Sequence, residues 1–504
     1  MNTFGKGADR ICGVAAAPTA RELEKQVARA LRITRTVELR LDWLRSDLER
    51  EKFLASLKRS GPRRATFLAT CRRRVGGGEF PGDAGAELFW LIKAKEAGCL
   101  WCDLEVETLR ELPGESVRGY DVPPGVLLSF HDFRSTPRLP KKLRIPAHGG
   151  IDAIKVAAMA RTIADSARLL RALRGSRQVI AAPMGEIGLP ARLLALREGS
   201  ALAYAPVAAA TAPGQLHLRD FKELYRVHQI TRKTRVYGVI GNPIGHSLSP
   251  LLHNTGYVAA KKDAVFLPFL VEKLDDFLKT LEEFGVAGFS VTLPHKEAIF
   301  KRLDVCEPLA AEIGAVNTVT VRRNGALYGS NTDYLGVLQA LEKKVKLRKS
   351  RVLIFGAGGA ARAAGFAVAK AGAEIFVCAR RKAAARKLAR AVEGSVIPHT
   401  LLKKEKFDVI VNATPVGMHP QAGISPLAAN ELNCSLVMDL IYRPLRTKLL
   451  QAAAAKGIRT VSGVEMFLAQ GIAQWELWMG RPAPEGPMRR AVLRGLQAEE
   501  NAHK

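Results

Sequence analysis

Apolar runs of seven to nine residues recur at regular intervals from residue 11 to about 207: ICGVAAAP, TVELRLDWL, ATFLATCR, LWCDLEVE, GVLLSFHDF, AIKVAAM, QVIAAPMG and ALAYAPV. Between them lie amphipathic or Ala/Leu/Arg-rich segments such as RELEKQVARALR and RTIADSARLLRALR, whose apolar residues return every three to four positions. The first kind of run suits a strand buried on both faces and the second a surface helix. Eight repeats of strand then helix predict a closed parallel barrel, the (β/α)8 or TIM architecture. Basic and without apolar periodicity, HQITRKTR ends this pattern, and a new strand, VYGVIGN, begins after it.

Barrel enzymes carry their chemistry at the C-terminal ends of the strands. Here those ends and the loops beyond them present Glu38, Arg40, Arg72, Glu105, His131 and Lys155, then Arg192, Thr211 and Gln215. Any single Glu or Arg in such a place is read first as a helix cap or salt-bridge partner. Lys155 is different. It sits inside AIKVAAM, where desolvation disfavours the ammonium and makes the amine a nucleophile of the kind that forms Schiff bases.

Taken together, VELRLD, TCRRRVGGGE, CDLEVE, SFHDFRSTP, IKVAAM, PMGEIGLPARLLALREGS and TAPGQ resemble type I 3-dehydroquinate dehydratase across residues 10 to 220. The resemblance implies that Lys155 forms an imine with the substrate ketone. His131 would shuttle protons, removing one alpha to the imine and assisting loss of water, with Glu105 orienting it. Arg192 and Arg72 would hold the carboxylate and ring oxygens, and Glu38, Arg40, Thr211 and Gln215 would complete the pocket. The family carries Ser at the positions of Ala191 and Thr211; Thr211 keeps the hydroxyl and Ala191 does not.

In the second half, GNPIGHSLSPLLHN is a turn-rich loop offering Ser247 and Ser249 before a helix, and GVAGFSVTLPHKEAIF puts Thr292 and Lys296 on a loop leaving an apolar strand. GAVNTV and GSNTDYLG supply Asn317 and Asp333. RVLIFGAGGAARA then places Gly356, Ala357, Gly358, Gly359, Ala360 and Ala361 between a strand and an Ala-rich helix. This GxGxxA turn lets the backbone approach a pyrophosphate at a helix N-terminus. The next strand runs into Ala379, Arg380, Arg381 and Lys382, where an acid would hold the ribose of NAD; cations there favour the 2′-phosphate of NADP.

IGNPIGHSLSP, VTLPHKE, GAVNT, NTDYLG, GAGGAARA, NATPVGM, MDLIYRP and SGVEMFLAQG, in this order over about 235 to 485, resemble shikimate dehydrogenase. By that resemblance Lys296 and Asp333 are the catalytic pair beside the carbonyl reduced by the nicotinamide. Ser247, Ser249, Thr292, Asn317, Tyr442 and Gln470 would surround the substrate, while Asn412, Thr414, Met418 and Gly463 would line the cofactor side. The resemblances connect, since 3-dehydroshikimate made by the first half is what the second would reduce to shikimate. The implied fold is α/β: an N-terminal TIM barrel (1–230), then a substrate-binding domain (235–335, completed by helices 464–504) and a Rossmann NADP-binding domain (336–463).

Composition narrows this little. The formal charge of +29 raises nucleic acid as a partner, but the basic residues are spread along helices and not gathered in a tail or among aromatics, so that partner is disfavoured. Seven scattered cysteines suit buried thiols, and Cys99-x-x-Cys102 lacks a second ligand pair, so no metal is expected. No apolar run approaches the roughly 20 residues that span a bilayer, and MNTFGKGADR reads as neither signal nor transit peptide, which predicts a cytoplasmic protein. Oligomeric state is not readable. Three alternatives stay open: quinate and NAD specificity in the second half, a first half that is a non-catalytic scaffold, and a nucleic-acid-binding basic surface.

Overall fold

A computed structural model describes residues 9–60, 64–112, 117–139, 150–176, 178–208, 215–418 and 421–502. All eight strand runs of the first half form strands: β1 (Ile11–Ala15), β2 (Thr36–Arg40), β3 (Thr66–Thr70), β4 (Trp101–Glu105), β5 (Gly125–Asp132), β6 (Ala153–Met159), β7 (Val179–Met184) and β8 (Ala203–Pro206). They make one parallel sheet in the order β7-β6-β5-β4-β3-β2-β1-β8. The remaining seam, between β8 and β7, is bridged where the Ala201 N–H donates to the Val179 carbonyl at 2.8 Å, so the barrel is nearly closed.

Closure puts alternate residues of every strand inside. The lower interior is apolar, with Cys12, Leu68, Trp101, Leu127, Ala153 and Ile180 packed together. The layer above it is charged. Described helices follow β1 (Ala20–Leu31), β2 (Asp47–Ser60), β3 (Ala84–Glu96), β4 (Val106–Glu111), β6 (Ile163–Leu173) and β7 (Leu189–Glu198). The first is typical in its construction: the Thr19 hydroxyl caps Glu22 N–H, and Leu23, Val27 and Ala30 form the buried stripe.

A second, mixed sheet has the order β10-β9-β11-β13-β14-β12, from β9 (Arg235–Gly241), β10 (Ala264–Leu270), β11 (Val286–Val291), β12 (Val305–Cys306), β13 (Thr318–Val321) and β14 (Leu327–Ser330). A third is wholly parallel, in the order β17-β16-β15-β18-β19-β20, from β15 (Arg351–Phe355), β16 (Glu374–Cys378), β17 (Ser395–Val396), β18 (Phe407–Asn412), β19 (Cys434–Asp439) and β20 (Arg459–Val461). Counted from its own first strand this is 3-2-1-4-5-6, the doubly wound Rossmann order, and its switch point falls between β15 and β18. Near-continuous apolar sequence in VLIF, DVIV and SLVM fits strands covered on both faces.

The chain divides into two compact units, Met1–Val236 with Asp263–Val286, and Tyr237–Lys262 with Ala287–Lys504. Within the first, the turn at Glu283 and Phe284 is held by arginines of the barrel helices: Arg174 donates to the Glu283 carbonyl at 3.0 Å and Arg197 to that of Phe284 at 2.9 Å. No helix among the described residues is long and apolar enough to cross a membrane, and no group of metal-ligating side chains occurs among them.

Candidate active sites

The charged layer of the barrel centres on Lys155, whose side chain is 5% exposed. Its ammonium is hydrogen-bonded to Asp103 Oδ2, lies 3.9 Å from Glu38 Oε1 and 4.9 Å from the Tyr204 ring centroid. Asp103 is thus the nearest group to the lysine, and the ion pair opposes the desolvation that burial alone imposes on the ammonium. Parallel register explains the grouping: Glu105 on β4 is level with Ser129 on β5, and Ser129 with Lys155 on β6.

His131, two residues beyond Ser129, bonds through Nδ1 to Glu105 Oε2 at 3.0 Å. The other oxygen of Glu105 takes Arg72 Nε–H at 2.5 Å and the Ser129 hydroxyl at 2.8 Å. Burial would raise the pKa of Glu105, but Arg72, His131 and Lys155 outweigh it and hold the carboxylate well below its usual range. Asp103 is likewise held low by Lys155 and Arg72 against burial. Desolvation, followed by the Arg72 charge, brings His131 down to about 4 against the opposing pull of Glu105, so the ring is neutral at physiological pH.

The other predicted barrel residues are placed around this core. Glu38 accepts the Thr70 hydroxyl at 2.8 Å. Arg40 makes a two-pronged pair with Asp42, at 2.9 and 2.7 Å. Arg192 is buried, donates to the carbonyls of Pro183 and Gly185 at the end of β7, and is drawn down to about 10 by desolvation. Gln215 is half-buried. Thr211 lies outside the described residues. Asp103, Ser129, Asp42 and Tyr204 were missed by the sequence reading, although strand alternation could have found the first two: Asp103 precedes Glu105, and Ser129 precedes His131, by two residues on the same strand face.

In the second unit Lys296 donates to Asp333 Oδ2 at 2.5 Å, the two side chains being 17% and 7% exposed. Asp333 is held from its other oxygen by Asn317 Nδ2–H at 2.8 Å, and it lies in the first turn of helix Thr332–Glu342, where the N-terminal dipole favours an anion. Asn317 is itself fixed by Thr332 N–H and the Thr318 hydroxyl on its oxygen, at 2.7 and 2.8 Å, and reaches Gln470 Oε1 at 3.5 Å. Ser249 is buried, Ser247 and Thr292 half-buried; the Ser247 hydroxyl accepts from Ser249 N–H at 3.3 Å. Tyr442 stacks on Phe467 at 4.7 Å, and its neighbour Arg443 donates to the His246 carbonyl, which brings the tyrosine and serine loops together.

The glycine-rich turn follows β15. Gly356 has φ +125°, and a side chain there would stand 2.9 Å from the Ala413 carbonyl, so only glycine fits the fold at that point. Gly358, N-cap of helix Gly359–Lys370, has open space in front of it, and a Cβ on Gly359 would lie 3.5 Å from Lys296 Cδ. Ala357, Ala360 and Ala361 belong to the same turn and helix start, Ala361 being fully buried. At the end of β16 Ala379 is half-buried while Arg380, Arg381 and Lys382 are exposed. Asn412 is fully buried, bonded to Asp439 Oδ1 at 2.9 Å and accepting from Thr414 N–H and hydroxyl, so its side chain shapes the turn after β18. Met418 is 40% exposed, and Gly463, opening helix Gly463–Met479, has no room for a Cβ, which would meet the Leu440 carbonyl at 2.5 Å.

Comparison with known proteins agrees with both halves. Residues 11–232 match the type I 3-dehydroquinase family, residues 239–319 the shikimate dehydrogenase substrate binding domain, and residues 463–493 the shikimate 5'-dehydrogenase C-terminal domain. The chain is 34% identical, over 89% of its own length and 78% of the relative's, to a chloroplastic bifunctional 3-dehydroquinate dehydratase/shikimate dehydrogenase of Arabidopsis thaliana. It is 41% identical to a shikimate dehydrogenase (NADP(+)) of Bacillus mycoides, across 52% of this chain and 99% of that one. A solved shikimate dehydrogenase in complex with NADP+ superposes with a TM-score of 0.50 at 35% identity, covering 53% of this chain and 97% of the other. The chain therefore belongs to the family of bifunctional 3-dehydroquinate dehydratase/shikimate dehydrogenases.

Proposed function

We propose that Lys155 carries the dehydration of 3-dehydroquinate through an imine and that Lys296 and Asp333 carry the reduction of 3-dehydroshikimate. The chain is a bifunctional enzyme of the shikimate pathway, a lyase joined to an NADP-dependent oxidoreductase. The observation that carries the residue-level reading is that each half sets one lysine against one buried carboxylate, Lys155 with Asp103 and Lys296 with Asp333. Three separate sheets support the division into a barrel (1–230), a substrate part (235–335 with 464–504) and a nucleotide part (336–463).

In the barrel, Asp103 accepts a proton from Lys155 and frees the amine to attack the ketone. An iminium withdraws electrons from the adjacent carbon, so the neutral imidazole of His131 removes the α-proton and later returns a proton to the leaving hydroxyl. Glu105 holds the ring tautomer and stabilises the imidazolium. Among the described residues Glu38, Asp42, Asp103 and Glu105 oppose Arg40, Arg72 and Lys155, one cation short of balance, so a substrate carboxylate needs a further cation. Arg192 is the buried arginine we assign to it, with Gln215 completing the pocket.

In the second site, Lys296 donates a proton to the oxygen that gains charge as the carbonyl is reduced, and Asp333 holds and recharges it. Ser247, Ser249, Thr292, Asn317, Tyr442 and Gln470 surround the substrate. The turn at Gly356–Ala361 fits a dinucleotide pyrophosphate: Gly356 allows close backbone approach and the helix behind Gly358 offers free N–H groups. Arg380, Arg381 and Lys382 would hold the 2′-phosphate, and Met418, Thr414 and Gly463 the nicotinamide side. When bound, NADPH supplies the hydride. Seven free thiols, five of them buried, support a reducing compartment, which we take to be the cytoplasm.

Borohydride added to the protein with 3-dehydroquinate tests the barrel reading. A stable adduct on the peptide bearing Lys155 is expected, and its absence under turnover would refute the imine.

A further inference from the structure

Ser129 has one hydrogen to donate and two carboxylates to receive it. Its hydroxyl, on a fully buried residue, is within hydrogen-bonding distance of Asp103 Oδ1 and, at 2.8 Å, of Glu105 Oε1. An ionised carboxylate only accepts, so while both acids are charged the hydroxyl can satisfy one and must turn its lone pairs toward the other. Both are held ionised in the resting site, Asp103 by Lys155 and Arg72, and Glu105 by Arg72 and His131. Asp103 touches Lys155 and Glu105 touches His131, so this one rotor stands between the two groups that do the chemistry.

We propose that Ser129 is a positioning residue whose hydroxyl turns from Asp103 to Glu105 when Asp103 takes the proton of Lys155, making His131 a stronger acid at the moment water must leave. This rests on the imine reading above. Imine formation converts an ammonium and a ketone into a protonated imine and water: two N–H bonds of Nζ break, the C=N bond forms, and the ketone oxygen departs carrying both protons. One proton waits on Asp103, and the second passes from the nitrogen, after it has attacked, to the neutral His131 imidazole; both are then delivered to the departing oxygen. With Asp103 neutral, Glu105 is the remaining anion, and a hydrogen bond from Ser129 weakens its hold on the His131 imidazolium, which releases its proton to the leaving oxygen more readily. Once the imine has formed Asp103 is charged again, the hydroxyl turns back, and His131 regains its strength as a base for the α-proton. Glu38 and the Tyr204 ring also face Lys155, and Arg72 bonds to both acids, to Asp103 Oδ2 at 3.4 Å and to Glu105 Oε1 at 2.5 Å; but a guanidinium donates to both at once through separate N–H groups, whereas the Ser129 hydroxyl has a single hydrogen to give to one or the other.

The test uses the full-length chain with Ser129→Ala and Ser129→Thr. Imine formation is followed by rapid quenching into borohydride, and proton abstraction by the isotope effect of substrate deuterated at the α-carbon. Hydrogen bonds to charged groups are worth enough to expect imine formation about tenfold to a hundredfold slower in Ser129→Ala. The deuterium effect on kcat then falls toward one, because imine formation limits the rate, and Ser129→Thr restores much of both. Circular dichroism and the melting temperature of the full-length chain report that the barrel is folded in each variant, and reduction of added 3-dehydroshikimate that the second unit is. Unchanged trapping in Ser129→Ala, a slower rate with the isotope effect intact, or a threonine variant no better than alanine would each overturn the proposal. If the wild-type chain itself gives no adduct at Lys155, it is the imine reading that fails.

Discussion

On the proposed mechanism His131 sets the pH dependence of the dehydratase. Burial and then Arg72 bring this imidazole down to about 4, with Glu105 pulling the other way. At pH 6 a histidine of ordinary pKa is only about one-quarter neutral, whereas one at about 4 is about 99% neutral. Because kcat/KM reports the free enzyme, its acid limb for 3-dehydroquinate should lie near pH 4 and the profile should be level from there to neutrality. Glu105→Gln removes the charge 3.0 Å from Nδ1. At an effective dielectric of 20 that charge is worth about 5.5 kcal/mol to the imidazolium as an upper bound. A fall in kcat of about a hundredfold to ten-thousandfold is therefore expected, with the acid limb moving lower still. The assay is initial-rate kinetics of dehydroquinate loss from pH 4 to 8 in both proteins. An acid limb near 6.5 in the wild type, or a loss in Glu105→Gln of less than about tenfold, would refute this account of the histidine.

Asn317→Leu removes the amide that holds Asp333 and reaches Gln470; dehydroshikimate reduction should drop at least about tenfold while dehydration is spared, measured by separate assays on one preparation. Gly356→Ala puts a Cβ 2.9 Å from the Ala413 carbonyl at φ +125°, and titration should show NADPH binding weakened about tenfold or more with the barrel activity intact. Arg380→Ala with Arg381→Ala removes two exposed cations. The ratio of kcat/KM for NADPH over NADH should fall by about ten- to a hundredfold without a change in melting temperature, and an unchanged ratio would place the 2′-phosphate elsewhere.

The strands of both parallel sheets were legible because each is a short apolar run between helical segments, and burial on two faces leaves that pattern in sequence. Motifs of distinctive spacing were legible too: SFHDF and Lys155 fall on neighbouring strands β5 and β6, and VTLPHKE and NTDYLG on the segments that bring Lys296 to Asp333. What the pattern did not carry was pairing across strands. Asp103 reads as part of an ordinary strand until β4 and β6 are brought round the barrel, and only then does its carboxylate meet Lys155. For the same reason burial alone described Lys155 incompletely, since desolvation is a property of position whereas its counter-ion is a property of register. Asn412 is the converse: its motif marks the nucleotide half correctly, but its side chain is consumed by Asp439 and Thr414. Grouping of residues 263–286 with the barrel unit follows from arginines reaching backbone carbonyls, and such contacts have no sequence signature.

The central claim is that two lysines in one chain perform consecutive reactions. The most direct measurement gives the purified full-length protein 3-dehydroquinate and NADPH, and follows cofactor oxidation together with shikimate formation. The wild type should make shikimate, and Lys155→Ala should make none from dehydroquinate while reducing added 3-dehydroshikimate at the wild-type rate. A Lys155→Ala protein that still turns dehydroquinate into shikimate would contradict the account.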